Sequence, residues 1–323
     1  MSDNLIVAVP SKGRLQELTH AFFAKAGLKV SRPGGERNYQ GTLKGIEGVE
    51  IAFLSASEIA REIAAGSVHF GVTGTDLVFE NIDRPEEKTH IVTALGFGHA
   101  DVVIAVPSAW IDVTSFEDLA DVASDFRARH GSRMRVATKY VNTTRKFFAQ
   151  NGVTDYRIVE SAGATEGAPA AGSAELIVDI TSTGSTLKAN DLKIPEGGVM
   201  HRSQAHLVAS MQANWSPQVL ERARLMLDRI ASQEAAHNQQ EVRTRVPQAA
   251  AIAAQTETLF STALPFGEPE GEMLTLHCPR GNVPACADWL RSNGAKVISV
   301  SPLDYVFQTS NVLFDPLKKR IKQ

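Results

Sequence analysis

The chain has 323 residues, of which 43% are hydrophobic and 21% charged, with a formal net charge of −3. That length suits two or three domains of a soluble globular protein, and the charge excludes a global basic field for nucleic acid, so any polyanion must be held by local Arg, Lys and backbone N–H groups. Only Cys278 and Cys286 are present, which excludes a disulfide framework and the common zinc patterns, and no apolar stretch approaches membrane-spanning length.

The first four residues carry no positive charge and the apolar run after them is too short for a signal peptide, so a reducing cytoplasm is the expected location. In chain order, residues 5–9 (Leu-Ile-Val-Ala-Val) read as a buried strand. Residues 15–26 place Leu15, Leu18, Phe22, Phe23 and Ala26 on one helical face. Val49–Leu54 reads as a strand, Ser57 as the cap of a helix running to Ala65, and Phe70–Gly74 as a strand ending at a glycine. Residues 101–106 read as a strand stopped by Pro107, and Thr114-Ser115 with Glu117-Asp118 open a helix toward His130. Residues 135–138, 143–150 and 156–159 read as strand, helix and strand. Residues 176–180 (Leu-Ile-Val-Asp-Ile) are another buried strand, feeding the turn Thr181-Ser182-Thr183-Gly184-Ser185-Thr186 and a helix start over 186–190.

This alternation predicts α/β architecture with mainly parallel sheets. Residues 91–106 read as a crossover with a glycine-rich hinge at 95–100, and residues 206–210 carry the chain back, which predicts two lobes and a cleft between them. The expected division is residues 1–95 plus 190–215 in the first lobe, 96–189 in the second, a helical linker at 216–245 and a C-terminal domain at 246–323. Residues 217–237 are helical, with Leu220, Ala223, Leu227 and Ile230 on one stripe. Residues 233–245 read as a polar helix end or linker and 248–260 as a helix. Residues 273–276, 283–292 and 296–300 make one β-α-β unit.

The turn after residue 180 carries the most specific chemical signal. A strand, a loop of small residues and a helix start together present free backbone N–H groups and positive potential to a phosphate. Asp179 at the strand end suits sugar hydroxyls, so the pair suggests a phosphoribosyl group; the turn alone also reads as an ordinary hydroxyl-rich bend. Ser11-Lys12-Gly13-Arg14 reads as a second anion site or as a solvated basic turn. In Gly71-Val72-Thr73-Gly74-Thr75-Asp76 the glycines let backbone approach a ligand, and Asp76 is either a ligand contact or a helix cap. Lys139 and Tyr140 follow a strand; Tyr140 suits the face of an adenine ring and Lys139 a phosphate, or the pair is an interfacial Tyr beside an exposed Lys. Glu166 sits among small residues as the polar contact of a tight ligand wall, or as a helix-start acid. Strict GxGxxG spacing and the Walker lysine are missing there, which disfavours dinucleotide-binding and P-loop readings.

Residues 10–15 (PSKGRL), 71–77 (GVTGTDL), 137–141 (ATKYV), 166–172 (EGAPAAG) and 178–187 (VDITSTGSTL) fall in the order found in ATP phosphoribosyltransferases, the first enzymes of histidine biosynthesis, and the chain resembles that family from about residue 4 to 210. The resemblance implies a two-lobed α/β body like the type II periplasmic binding proteins, followed by a small C-terminal α+β domain that is partly ACT-like. It implies transfer of phosphoribosyl from phosphoribosyl pyrophosphate to N1 of ATP, with Mg²⁺ and release of pyrophosphate. Arg14 and Arg37, with Lys12 nearby, are then the leaving-group clamps. Gly13, Thr73, Gly74 and Lys139 join the substrate site. Ser182, Thr183, Gly184, Ser185 and Thr186 hold the 5′-phosphate, Asp179 the ribose hydroxyls, and Tyr140, Asp76 and Glu166 line the nucleotide and ribose pocket. Other phosphoribosyltransferases place two acids before Thr-Gly-x-Thr; here Val178 takes the first position and Asp179 the second.

The resemblance also implies a homo-oligomer, a dimer or hexamer. Long-form members carry a histidine-binding C-terminal domain, and short-form members use a subunit resembling a histidyl-tRNA synthetase; this chain has long-form length. The competing reading is a two-lobed binding module for a phosphorylated small molecule, which the same fold would serve. Neither nucleic acid nor membrane is an expected partner.

Overall fold

Runs of apolar residues long enough to be buried on both faces dictate the two largest sheets. A computed structural model describes residues 3–33, 39–161 and 163–322, and its contacts separate into a unit of Met1–Phe22 with Val30–Val219 and a unit of Phe23–Lys29 with Leu220–Gln323.

In chain order the first sheet system contains β1 (Leu5–Pro10), α1 (Gly13–Lys25), β2 (Lys29–Ser31), β3 (Gln40–Lys44), β4 (Val49–Leu54), α2 (Ala56–Ala65), β5 (Phe70–Gly74), α3 (Thr75–Asn81), α4 (Pro85–Lys88) and β6 (Thr89–Ala94). The second contains β7 (Ala100–Pro107), α5 (Phe116–His130), β8 (Met134–Thr138), α6 (Val141–Gln150), β9 (Tyr156–Glu160), β10 (Leu176–Thr181), α7 (Ser185–Ala189), β11 (Leu192–Lys193) and β12 (Val199–Ser203). β13 (Ala205–Ser210) then returns to the first sheet.

The first sheet runs β2-β3-β4-β1-β5-β13-β6. β1 is parallel to β4 and β5, so Pro10, Leu54 and Gly74 end at one edge. β13 is antiparallel to β5, with Ala205 opposite Gly74. The second sheet runs β11-β7-β10-β8-β9, with β12 also on β7. β8, β9 and β10 are parallel, so Thr138, Glu160 and Thr181 share an edge. β7 is antiparallel to β10 and places Asp101 opposite Thr181. This is the two-lobed α/β body expected from the sequence.

Two details differ from the expected layout. Residues 190–215 do not all join the first lobe: β11 and β12 hydrogen-bond to β7, and only β13 enters the first sheet. The helix over 56–65 is capped by Ser55, not Ser57. The Ser55 hydroxyl accepts from Glu58 N at 3.3 Å while Ser55 N donates to Glu58 Oε2 at 2.8 Å, because the Ser-x-x-Glu spacing of a capping box falls on 55–58.

The C-terminal unit contains α8 (Pro217–His237) from Leu220 onward, β14 (Gln239–Arg245), α9 (Ala249–Phe260), β15 (Met273–Pro279), α10 (Val283–Ser292), β16 (Ile298–Pro302) and α11 (Phe314–Ile321). Its sheet is β15-β14-β16. The expected helical linker at 216–245 is therefore wrong at its end: residues 239–245 are the central strand. Val242 and Thr244 face inward and Arg243 and Arg245 outward, so the strand has the alternation of a one-sided sheet but too few apolar positions to announce it. The small α+β domain has its own core, including Val242, Ile252, Leu274, Leu276, Cys278, Cys286 and Leu290.

Helix α2 lies directly on β5. A Cβ at Gly71 would come within 2.4 Å of Ile59 Cγ2 and 2.7 Å of Ile63 Cδ1. Gly71→Ala should therefore lower stability by about 1–3 kcal/mol through overpacking, read as a shift in the denaturant midpoint; an unchanged midpoint would contradict this packing.

Candidate active site

Parallel register decides where the chemistry-bearing loops lie. After β1 come Ser11, Lys12, Gly13 and Arg14, and after β5 come Thr75 and Asp76. On the second sheet Lys139 and Tyr140 follow β8, Glu166 lies on a 3₁₀ turn after β9, and Asp179 and residues 182–186 belong to the end of β10 and the loop beyond it. Both crossovers, 95–99 and Gln204, connect these same edges. The first crossover is also bonded to the start of β13, just past the second: Leu95 N donates to Ala205 O, and Ala205 N to Phe97 O, both at 2.9 Å.

In the loop after β10, Gly184 takes φ +72°, a left-handed conformation that favours glycine. Gly184 N donates to Thr181 Oγ1 at 2.9 Å, and the hydroxyls of Thr183 and Ser185 are 2.8 Å apart. Ser182, Thr183, Ser185 and Thr186 are exposed. The first N–H groups of α7 have no carbonyl one turn back within the helix; Ser185 N donates at 3.4 Å to Thr183 Oγ1, a hydroxyl that an anion could displace. Asp179 is mostly buried; its Oδ1 accepts from Ile180 N at 2.8 Å and lies 3.4 Å from Lys139 Nζ. Lys12, Gly13 and Arg14 are exposed at the start of α1. Arg37 lies outside the described residues. Arg32, which its sequence context did not single out, donates from Nη1 to Ser11 O at 3.4 Å, with its guanidinium 4.3 Å from the centre of the Phe53 ring.

Tyr140, expected either against an adenine ring or as an interfacial tyrosine, is 2% exposed. It donates from its hydroxyl to Asp76 Oδ2 at 2.9 Å, while Lys139 beside it is half-exposed. Asp76, 5% exposed, also accepts at Oδ1 from Ser203 Oγ at 2.6 Å. Gly74 lacks a side chain for this reason: a Cβ there would lie 2.1 Å from Asp76 Oδ1. The buried Thr73 hydroxyl donates to Ala56 O at 2.9 Å. Burial first, then the Asp76 charge, push the Tyr140 hydroxyl far above its ordinary value.

Two further joints went unseen in the sequence. His201 Nε2 lies 2.9 Å from Thr75 Oγ1, which donates to Ser203 Oγ at 3.3 Å. Glu80 on α3 caps α6, whose own N-cap Tyr140 supplies no side-chain bond. The Glu80 carboxylate accepts from Asn142 N at 3.0 Å and from Thr143 N and Oγ1 at 2.9 Å each. A glutamate on one lobe capping a helix of the other leaves no local sequence pattern.

A family model described as ATP phosphoribosyltransferase matches residues 55–232, more than half of the chain. The chain belongs to the ATP phosphoribosyltransferase family. An ATP phosphoribosyltransferase of Bradyrhizobium diazoefficiens is 56% identical over 100% of both chains, and one of Rhodopseudomonas palustris is 55% identical over 100% of both. A solved ATP phosphoribosyl transferase (HisG:HisZ) complex from Thermotoga maritima is similar at 26% identity and a TM-score of 0.49, covering 64% of this chain and 87% of that one. The reaction is thus that of ATP phosphoribosyltransferase: phosphoribosyl pyrophosphate and ATP give phosphoribosyl-ATP and pyrophosphate, the first step of histidine biosynthesis. Enzymes of this family use a metal ion. Among the described residues no group of three or more His, Cys, Asp or Glu could hold one, and no helix is long and apolar enough to cross a membrane.

The buried Tyr140 gives a pH signature. Its proton is held more tightly in the folded than in the unfolded chain, so the stabilisation is complete below about pH 10 and is lost as the pH rises beyond it. In an alkaline absorbance titration one of the four tyrosines should fail to ionise until the protein unfolds, and Tyr140→Phe should abolish that delayed step. Ionisation of all four near pH 10 in the folded protein would contradict the burial.

Proposed function

We propose that the loop after β10 binds the 5′-phosphate of phosphoribosyl pyrophosphate through the N–H groups and hydroxyls of Ser182 to Thr186, with Asp179 accepting from the ribose hydroxyls. The observation that carries this reading is the shared edge: register brings the ends of β8, β9 and β10 together, and the crossovers tie that edge to the one bearing Lys12 and Arg14. Lys12, Arg14 and Arg37 then surround the leaving pyrophosphate. Exposed Lys139 and part-buried Glu166 are the polar contacts left for ATP.

In the reaction, N1 of adenine forms a bond to C1 of the ribose while the C1–O bond to the diphosphate breaks and its electron pair leaves with pyrophosphate. Charge builds on the ring carbon and on the leaving oxygen. The protein's part is to align the two reactants and to meet the leaving charge with fixed cations. Mg²⁺, entering with the diphosphate, would supply further neutralisation of that charge. A substrate-borne ion needs only one or two protein carboxylates, and Asp179 is the carboxylate at the phosphate loop, so the donor set fits such an ion although it forms no cage.

The same reading makes the protein a cytoplasmic homo-oligomer, dimer or hexamer, with histidine feedback through the C-terminal domain, whose separate core supports an independent role. A subunit resembling a histidyl-tRNA synthetase is the other source of regulation.

Pyrophosphate release by the purified chain should require ATP and phosphoribosyl pyrophosphate together. A binding module would release none, and release by the chain alone would show that no second subunit is needed for turnover. Arg14→Ala should keep the fold and lose about 2–4 kcal/mol of transition-state stabilisation, a factor of roughly 30 to 1,000 in turnover. Wild-type turnover in that variant would remove Arg14 from the mechanism.

A further inference from the structure

The C-terminal sheet is covered on one face by α9 and α10 and open on the other. On the open face Arg243 pairs across the strands with Thr275 and Ser299, and Arg245 with Met273. Arg243 and Arg245 are two residues apart on one strand, so their side chains leave the same face about 7 Å apart. The turn before β16 adds Lys296 and Val297, and Glu272 completes the wall of a cavity of about 640 Å³.

Three features make this a formed pocket. Thr244, 5% exposed, donates from Oγ1 to Val297 O at 2.8 Å and so fixes the Lys296 wall from beneath. Val246 N donates to Glu272 O at 2.9 Å and fixes the opposite rim. Gly294 turns at φ +97°, where a Cβ would meet Pro247 at 3.4 Å. The electrostatics are one-sided. Among the described residues the side chains of Arg245 and Lys296 form no ion pair or hydrogen bond, and the Arg243 guanidinium pairs only with Glu241, 3.9 Å away. Three cations face one acid inside a concavity, which concentrates positive potential. Val297 and Met273, 76% and 41% exposed, line it with uncovered apolar surface.

We infer that this pocket is a binding site for a dianionic phosphate ester with an apolar or ring-bearing body, separate from the catalytic site. Arg245 and Lys296 neutralise the phosphate, Arg243 donates to its remaining oxygens, and Val297 and Met273 cover the organic part.

Phenyl phosphate is a suitable probe, titrated calorimetrically into the full-length protein. The double variant Arg245→Gln with Lys296→Gln should weaken binding at least tenfold, as expected for loss of charge-assisted hydrogen bonds, while turnover stays at the wild-type level. Glu272→Gln removes the opposing charge and should tighten binding several-fold, an effect that misfolding cannot produce. Inorganic phosphate should bind at least tenfold more weakly than phenyl phosphate. Equal affinity of the wild-type protein and the double variant, no tightening in Glu272→Gln, or equal binding of the two phosphates would overturn the assignment.

Discussion

Both crossings between the two large sheets are made at carboxyl ends of strands, and that constraint fixes everything else in the catalytic body. β6 ends, and β13 begins, at the edge where β1, β4 and β5 finish; β7 begins, and β12 ends, at the edge where β8, β9 and β10 finish. Parallel strands deliver their loops to one edge, and the edges are tied by two short segments, the first of them bonded to the start of β13. Five separate loops are thereby gathered although they are spread along the chain from Ser11 to Thr186, a separation that only topology can close.

Where the lobes meet, Asp76 is the central charge. A buried carboxylate is tolerable only when its lone pairs are occupied, and here Tyr140 and Ser203 both donate to it. Each such bond is worth about 1.5–3 kcal/mol because one partner is charged. Leu77, on the same short helix, packs against the cores of both lobes, and Glu80 caps the first helix turn across the joint. Polar and apolar contacts from α3 thus anchor the two sheets, while the loops after β1 and β10 stay open to solvent.

The strands that are apolar on both faces were legible in sequence, as were the glycine and hydroxyl turn after β10 and the basic turn after β1, because each is encoded by neighbours in the chain. β12 and β14 were not. Both are polar and short of apolar alternation, and they exist because partners on adjacent strands take their backbone hydrogen bonds. Thr73, Asp76 and Tyr140 occupy motif positions at strand ends, but their side chains bond to Ala56, Ser203 and one another, far off in sequence. A motif locates a strand end; it does not say which way each side chain turns.

On the proposed reading the donor's sugar phosphate docks on the loop following β10. A crystal structure with phosphoribosyl pyrophosphate bound tests it most directly. Phosphate density against the amides of Thr183 to Thr186, with Asp179 at the ribose, is the expected result. Donor bound elsewhere while this loop stays empty would contradict it.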